Sequence, residues 1–343
     1  MAPRDTLTGP ANRRSFVLRA VPVGGFLLVF LAALPLALPM ALAVDIVILA
    51  VAAVAFNMML GYAGMLSFGQ AAFFAIGGYT AGFLLKTFAV SALPALAAAA
   101  IVAAAGAAVV AWLTARLRDV YFILMTLAFA QLVYFIAMSW RGVTGGPSGL
   151  SGFDRPALDL LVASIPLSGA TGFYVFASAV FLVVFGVFFA LVHSPVGLVM
   201  KAMKENPDRL EAVGYPVGRY RFFTFTVSGA MTGIAGALYA FQWQLVPVTV
   251  ASMNHSAAIV FMSILGGTGH PLGPVVGAAV YTWLSDVIST YWARWPIIFG
   301  LFIIIVVYFL RGGIAGGVQL VLHALAARLR RPSTGPLPPS DTR

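Results

Sequence analysis

The chain has 343 residues, of which 61% are hydrophobic and only 9% are charged. About a quarter of the residues of a soluble domain are charged. This composition therefore excludes a soluble domain and indicates an integral membrane protein. Cysteine is absent, which excludes disulfides and thiolate chemistry. A net charge of +10 is compatible with nucleic-acid binding, but the distribution of the charges described below favours membrane topology as its cause.

Residues 1–20 form a basic segment, predicted to be cytoplasmic, ahead of an apolar run at Val21–Val44. The basic start and Ala41-Leu42-Ala43 are typical of a signal peptide, but the apolar run is longer than a signal-peptide core. We therefore predict a retained first span that is kinked at Pro35 and Pro39.

Asp45 predicts a turn before a second span at Ile46–Leu60, which is short for a bilayer unless it begins before Asp45. In the next stretch, Gly61–Leu85, glycines interrupt the apolar pattern, which is typical of a broken helix beside a watery cavity. Close helix packing on glycine is the alternative. The polar candidates for a translocation path in this region are Asn57, Ser67 and Gln70.

Leu93–Leu113 and Val120–Trp140 are predicted as the fourth and fifth spans. The fifth carries Thr126 and Gln131. A glutamine in hydrocarbon is costly without a partner, so Gln131 should face other helices or water. Both residues are candidates for the path, and helix packing is an equally open interpretation.

A connection rich in Gly and Pro, Arg141–Gly172, is expected to form tight turns. The glycine cluster at residues 266–274 lacks the ending of a phosphate-binding loop and is also expected to be a turn.

Asp286 lies well inside a span, and an ion pair with Arg294 is favoured over a functional role. The five remaining predicted spans are Phe173–Val192, Phe222–Gln242, Ser256–Leu265, Val275–Thr290 and Trp295–Leu310. Three small residues near one face of the seventh span predict close helix packing: Gly229, Gly233 and Gly236.

The segment 194–221 is unusually charged and lies between two apolar spans. Asn206 is a good helix N-cap, Pro207 suits the first helical position, and Gly214 supplies a left-handed residue that ends a helix. We predict a capped helix over Pro207–Val213, with an ordinary solvated loop as the alternative.

The basic residues predict the topology. With ten alternating spans and both termini in the cytoplasm, 16 of the 20 Lys and Arg residues fall on the cytoplasmic side, as the positive-inside rule requires. This side receives the N-terminal segment, Arg116 and Arg118, the segment 194–221, and a tail at residues 313–343. The opposite side receives Lys86, Arg141, Arg155 and Arg294.

The sequence contains no motif for a metal site, a cofactor or a nucleophile, and offers no visible energy source for transport. Its four histidines lie in separate segments and are expected to pack at interfaces: His193, His255, His270 and His323. Energy must therefore be delivered by another protein, and the charged segment is the predicted place of delivery.

Five stretches resemble the permeases of branched-chain amino acid ABC importers, of the LivM type. The resemblance runs from about residue 45 to 312 and keeps the family's order of motifs. The stretches are Asn57–Tyr79, Val120–Phe135, Thr144–Gly152, Lys204–Ala240 and Ile264–Ala278.

The resemblance implies an all-α polytopic protein of the bacterial inner membrane, with residues 21–312 as the permease domain. Its implied partners are a LivH-type sister permease, two cytoplasmic ATPases that use ATP, and a periplasmic amino-acid-binding protein. It also implies that the capped helix is a coupling helix, although Asp208-Arg209-Leu210 replaces the Glu-Ala-Ala of the general importer signature. The hypothesised coupling set is Glu205, Asn206, Asp208, Arg209, Glu211 and Gly214.

The path is compatible with branched-chain amino acids and equally with urea, short amides or other amino acids, which relatives of this family carry. A secondary transporter would need intramembrane coupling residues, which are scarce here. A membrane-embedded enzyme would need a polar catalytic cluster, which the sequence does not contain.

Overall fold

The computed structural model describes residues 10–115, 117, 119–160, 163–166, 169–292, 294–309, 312–314 and 316. The first nine residues of the predicted N-terminal segment, Arg116, Arg118 and the tail beyond residue 316 lie outside the described residues. The regular structure is almost entirely helical, which confirms the predicted all-α class.

The first break in the helical chain falls at Pro39. Helix α1 spans Pro10–Ala37 and α2 begins at Met40. The predicted turn at Asp45 is wrong, because Asp45 lies inside α2, where its carboxylate accepts a hydrogen bond from Trp243 Nε1 at 3.0 Å. The break falls at Pro39 because proline has no N–H to donate to a continuing helix.

Helix α2, Met40–Asn57, continues through a π-helical turn at Met58–Tyr62. The combined helix has 23 residues, enough to cross a bilayer. The second span therefore begins before Asp45 and is full length.

The helix then breaks, so the broken helix, one of the two interpretations left open for this stretch, is observed. Residues 64–69, which we call the broken segment, have no regular structure, and α3 resumes at Gln70–Phe88. The next two helices, α4 at Ala92–Leu113 and α5 at Asp119–Ser139, lie within a residue of their predicted positions.

The connection after α5 forms tight turns and short strands. It contains α6 (Arg141–Thr144), a 3₁₀ turn (Gly146–Ser148), β1 (Leu150–Ser151) and an antiparallel hairpin of β2 (Ala157–Leu160) and β3 (Ala163–Pro166). Arg155 anchors it to the rest of the chain, because the guanidinium donates to the backbone oxygens of Phe241 at 3.2 Å and Gln242 at 3.0 Å.

In the second half of the chain the described residues contain seven further helices. They are α7 (Ala170–Val192), α8 (Pro195–Glu205), α9 (Pro207–Ala212), α10 (Val217–Trp243), α11 (Met253–Gly266), α12 (Gly273–Tyr291) and α13 (Trp295–Phe309). Between α10 and α11, β4 (Leu245–Val246) pairs antiparallel with β1, and a 3₁₀ turn covers Val248–Ala251.

Among the described residues, six helices are long and apolar enough to cross a membrane: α2 with its π-helical turn, α3, α4, α5, α7 and α10. The described apolar part of α1, together with α11 and α13, is shorter. A multi-pass membrane protein is therefore established, whereas ten spans and cytoplasmic termini stay predictions. At 14 residues α11 is about 21 Å long, less than the ~30 Å of a hydrocarbon core.

Helix α10 packs at the centre of the molecule, against α3 and α4. A β-carbon on Gly233 would overlap Ala103 of α4, and one on Gly236 would overlap the Phe74 carbonyl of α3. The prediction that the small residues of the seventh span form a helix-packing surface is confirmed, and it brings the polar side chains of α10 next to α3.

Candidate functional site

The broken segment is held by side chains from two other helices. The Phe68 N–H donates to Thr126 Oγ1 of α5 at 3.3 Å, and Ser256 Oγ of α11 donates to the Phe68 carbonyl at 2.6 Å. Ser67 Oγ accepts from the Gly69 N–H at 3.0 Å. Backbone groups that leave a helix inside a membrane must find such partners. The irregular backbone is tolerated in the core because these hydroxyl groups supply its hydrogen-bond partners.

Gln70 joins three elements immediately after the break. Its Nε2 donates to Ser228 Oγ of α10 at 3.2 Å, and its Oε1 accepts from Thr232 Oγ1 of α10 at 2.7 Å. Ser228 Oγ in turn donates to the Ala55 carbonyl of α2 at 2.7 Å. All three polar side chains are fully buried. This Gln70 hub therefore connects α2, α3 and α10 in the buried interior.

Asn57 connects the end of α2 to the turn between α11 and α12. Its Oδ1 accepts from the Gly269 N–H at 3.0 Å, and its Nδ2 donates to the His270 carbonyl at 3.2 Å. Burial lowers the pKa of His270, and its Nδ1 accepts from the Leu272 N–H at 3.2 Å. The predicted turn at residues 266–274 is thus real and is fixed to α2 by one asparagine.

The five path candidates have two different environments. Gln131 is half-buried on α5 and makes no side-chain hydrogen bond to a described residue. Helix α5 is the most exposed of the six candidate spans, with 17% of its apolar window buried in this chain. Four candidates are fully buried and hydrogen-bonded within the chain: Asn57, Ser67, Gln70 and Thr126. The structure brings these four together around the break and leaves Gln131 apart.

The capped helix is present as predicted. Asn206 Oδ1 accepts from the Arg209 N–H at 2.9 Å, Pro207 is the first helical residue, and Gly214 has a positive φ of 91°. Helix α9 has no buried residue, and all six members of the coupling set are exposed. A cleft of about 400 Å³ lies along this surface, lined by Ala202, Glu205, Asn206, Arg209, Leu210 and Val213.

Helix α8 was not predicted, and it connects α9 to the broken helix. Lys204 Nζ donates to the Gly61 carbonyl in the π-helical turn at 2.8 Å, and Lys201 Nζ lies 5.4 Å from the centre of the Tyr62 ring. A π-helical turn interrupts the regular i→i−4 hydrogen bonds of an α-helix, so some of its carbonyls need other donors. The Lys204 ammonium group is such a donor for the Gly61 carbonyl. The exposed charged helix is thereby in direct contact with the buried site.

A signal for α8 was present in the sequence. Ser194 is its N-cap, Pro195 is its first residue, and the buried side is formed by residues spaced three apart at Gly197, Met200 and Met203. Such spacing is typical of an amphipathic helix. Lys204 itself carried no distinguishing signal, because it stands among several exposed charges.

Asp286 and the histidines lie outside this site. Asp286 is exposed on α12 and forms no ion pair with Arg294 among the described residues, so that prediction is wrong. His255 is half-buried beside the Phe74 ring, with 4.6 Å between ring centres, and His193 Nδ1 lies 2.9 Å from the Phe189 carbonyl. His323 lies outside the described residues.

Comparison with known proteins gives one family match. Residues 38–310 match the model of the family described as the permease component of branched-chain amino acid transport systems. No solved structure matches the chain.

Three curated relatives are permease proteins. The chain is 26% identical over 243 residues to the high-affinity branched-chain amino acid permease protein LivM of Salmonella typhimurium, a match covering 65% of this chain and 57% of that protein. It is 25% identical over 272 residues to the probable LivM of Methanocaldococcus jannaschii, covering 68% and 76%. It is 29% identical over 220 residues to the autoinducer 2 import permease LsrC of an Enterobacter species, covering 62% and 57%.

Proposed function

The chain belongs to the permease component family of branched-chain amino acid transport systems, and on that premise we propose that it is one membrane subunit of an ATP-driven importer. Branched-chain amino acids are the proposed substrates, and a LivH-type sister permease, two cytoplasmic ATPases and a periplasmic binding protein are the proposed partners. No cofactor is assigned to the chain itself.

The contact between Lys204 and Gly61 is the observation that carries this proposal. It joins an exposed, capped helix pair to the π-helical turn that leads into the buried broken segment. An ATPase docked on α9 would move α8, and α8 would move the π-helical turn at the end of α2. The six residues of the coupling set are the proposed contacts with the ATPase.

Helix α5 is the proposed wall of the path. Most of its surface is not covered by this chain, and Gln131 is the predicted path residue that keeps an exposed surface. The buried candidates Asn57, Ser67, Gln70 and Thr126 are proposed to set the shape of the path by fixing the broken segment, with the substrate passing along α5.

Reconstitution tests the function. Proteoliposomes with this chain, its sister permease, the ATPases and the binding protein would be offered labelled leucine, other amino acids, urea and autoinducer 2. ATP-dependent leucine uptake that is lost without this chain supports the proposal. Preference for urea or autoinducer 2 replaces the substrate but keeps the importer, and uptake by this chain alone without ATP overturns both.

A charge reversal tests the coupling surface. Glu211→Arg should lower ATP-dependent uptake by about tenfold and remove the stimulation of ATP hydrolysis by substrate, because a reversed charge opposes docking. Asp154→Arg is the matched control, since Asp154 is equally exposed but lies in the connection after α5. Unchanged substrate-stimulated ATP hydrolysis in Glu211→Arg would count against α9 as the coupling helix.

A further inference from the structure

A second cleft lies between the start of α8 and the start of α10, and no function described above uses it. Its volume is about 310 Å³, at the lower end of the ~300–1,000 Å³ of pockets that hold small molecules. The α10 side of the cleft follows an i, i+3, i+4, i+7 pattern, so these residues share one helix face. The lining residues are Val196 on α8, and Pro216, Arg219, Tyr220 and Phe223 on the α10 side.

The cleft lies at the end of α10 that carries its charges. Helix α10 has 27 residues and is about 40 Å long, which exceeds the ~30 Å of a hydrocarbon core. Its charged residues are Arg219 and Arg221, both in the first two turns, and the apolar stretch of the span begins at Phe222. The cleft therefore joins a charged residue at the headgroup level, Arg219, to an aromatic residue one turn further into the span, Phe223.

The positive charge in the cleft faces no protein carboxylate among the described residues. Arg219 is exposed, and no hydrogen bond or ion pair joins its side chain to a described residue. The loop next to α10 also carries Arg116 and Arg118, which lie outside the described residues and whose charge has the same sign. Four exposed acidic residues on the same predicted side of the membrane do not line the cleft: Asp119, Glu205, Asp208 and Glu211.

The remaining wall of the cleft is aromatic and aliphatic. Phe223 is 38% exposed within this chain, although it lies past the charged turn of a membrane-spanning helix. Tyr220 is half-buried and places an aromatic ring with a polar hydroxyl at the same level as Arg219, as is typical of the membrane–water interface. A ligand in this cleft therefore meets a guanidinium, a phenol and an apolar surface together.

This combination matches an anionic phospholipid. A guanidinium binds a phosphate through two parallel hydrogen bonds, a tyrosine hydroxyl can donate a further one, and the apolar wall can cover the first part of an acyl chain. Basic pockets between membrane helices on the cytoplasmic side bind such headgroups. A zwitterionic headgroup would bring its own cation next to Arg219, and a soluble phosphate ester would leave the apolar wall uncovered.

We propose that the cleft between α8 and α10 binds the headgroup of an anionic phospholipid in the cytoplasmic leaflet. The inference rests on the multi-pass membrane character of the chain and on the predicted topology for the leaflet, and it is independent of the imported substrate. A lipid seated here contacts α8 at Val196 and the first turns of α10 at once. Because α8 also carries Lys204, which bonds the Gly61 carbonyl, the lipid holds the helix that the proposed function requires to move.

Photo-crosslinking tests the site in the assembled complex. The complex would be reconstituted in phosphatidylcholine nanodiscs with a small fraction of phosphatidylglycerol that carries a diazirine at the start of one acyl chain. After irradiation, the labelled peptides would be mapped by mass spectrometry, and we expect labelling at Val196 and at residues 216–223. Replacing the matrix lipid with phosphatidylglycerol should suppress this labelling. Replacing it with phosphatidylethanolamine, or adding glycerol 3-phosphate to the buffer, should not.

Two variants and a control make the test specific. Arg219→Gln should lower this labelling about fivefold, because it removes the charge that binds the phosphate, and Arg219→Lys, which keeps the charge, should retain most of it. Both variants are expected to fold, because Arg219 is exposed. Arg294→Gln is the matched control and should leave the labelling unchanged, since Arg294 is an exposed arginine beside the apolar helix α13 on the predicted opposite side of the membrane.

The outcomes separate the lipid site from the proposed function. Absence of labelling at these peptides in a complex that is labelled elsewhere, equal labelling of Arg219→Gln and the parent, or suppression by glycerol 3-phosphate would overturn the site. The first outcome would assign the cleft to a protein segment such as an ATPase surface, and the last to a soluble phosphate ester. Labelling that phosphatidylglycerol suppresses and Arg219→Gln lowers would support the site, whatever solute the complex imports.

Transport in proteoliposomes supplies a second readout. ATP-dependent uptake by the parent complex should rise severalfold when phosphatidylglycerol is added to a phosphatidylcholine membrane, and uptake by Arg219→Gln should rise much less. An equal rise in both would contradict a role for the lipid in the cleft. Absence of ATP-dependent uptake in every membrane would count against the proposed function and would leave the crosslinking result unaffected.

Discussion

The Gln70 hub makes the sharpest prediction, because the same substitution can be made at Gln131, whose side chain forms no hydrogen bond to a described residue. In Gln70→Leu the chain loses two hydrogen bonds to α10, at 3.2 and 2.7 Å, and a weaker one from Gln70 Nε2 to Met59 Sδ at 3.1 Å. Such bonds average ~0.6 kcal/mol each in membrane proteins. Ser228 and Thr232 keep the Ala55 and Ser228 carbonyls as acceptors, so no hydroxyl is orphaned. We expect the free energy of unfolding to fall by about 1 kcal/mol.

Gln131→Leu is the matched control. Gln131 is half-buried and makes no such bond, so the free energy of unfolding should change by less than about 0.5 kcal/mol. Denaturant titration in mixed micelles measures both variants, and uptake per folded complex is measured in proteoliposomes. Gln70→Leu should keep its uptake per folded complex, whereas Gln131→Leu should lower it. Parent-like stability in Gln70→Leu with specific loss of uptake would refute the structural role and place Gln70 in the path.

Two further predictions concern the junction between α8 and α2. Lys204→Met should raise the number of ATP molecules hydrolysed per leucine imported severalfold, because it removes the bond to Gly61 and keeps the aliphatic stem. Lys201→Met is the control and should have a smaller effect. Equal effects of the two substitutions would contradict the proposed link. Gly61→Ala should sharply reduce the yield of folded protein, because a β-carbon would overlap Asn57 Oδ1 and the Gly269 nitrogen, whereas Gly218→Ala, which meets nothing within 4 Å, should not. Chromatography of detergent-solubilised protein measures the yield.

The broken helix was predictable from the sequence, but the way it is held was not. Glycines interrupting an apolar run, with Ser67 and Gln70 at its edge, predict irregular backbone that needs partners. The partners Ser228 and Ser256 lie more than 150 residues away along the chain. Ser is common in packed membrane helices, so neither residue stands out until the fold brings it into place.

The error at Asp45 has a physical cause of the same kind. A carboxylate in an apolar run normally marks the end of a span, since charge in hydrocarbon is costly. Here Trp243 at the end of α10 supplies a hydrogen bond at 3.0 Å, and the helix continues through Asp45. This long-range hydrogen bond offsets part of the cost of the carboxylate, and the sequence gives no indication of it.

The π-helical turn is the place where the proposed movement of α8 would reach the interior. In a regular helix, backbone hydrogen bonds join each turn to the next, so the helix moves as one body. Here the π-helical turn at residues 58–62 leads into the irregular backbone of residues 64–69. The bonds on either side are made by side chains: Lys204 to Gly61 on the α8 side, and Asn57 to Gly269 on the α11–α12 side. Side-chain bonds can exchange partners without unfolding a helix. If α8 moves as proposed, the Gly61 carbonyl moves with it, and the broken segment next to α5 is the first backbone free to follow.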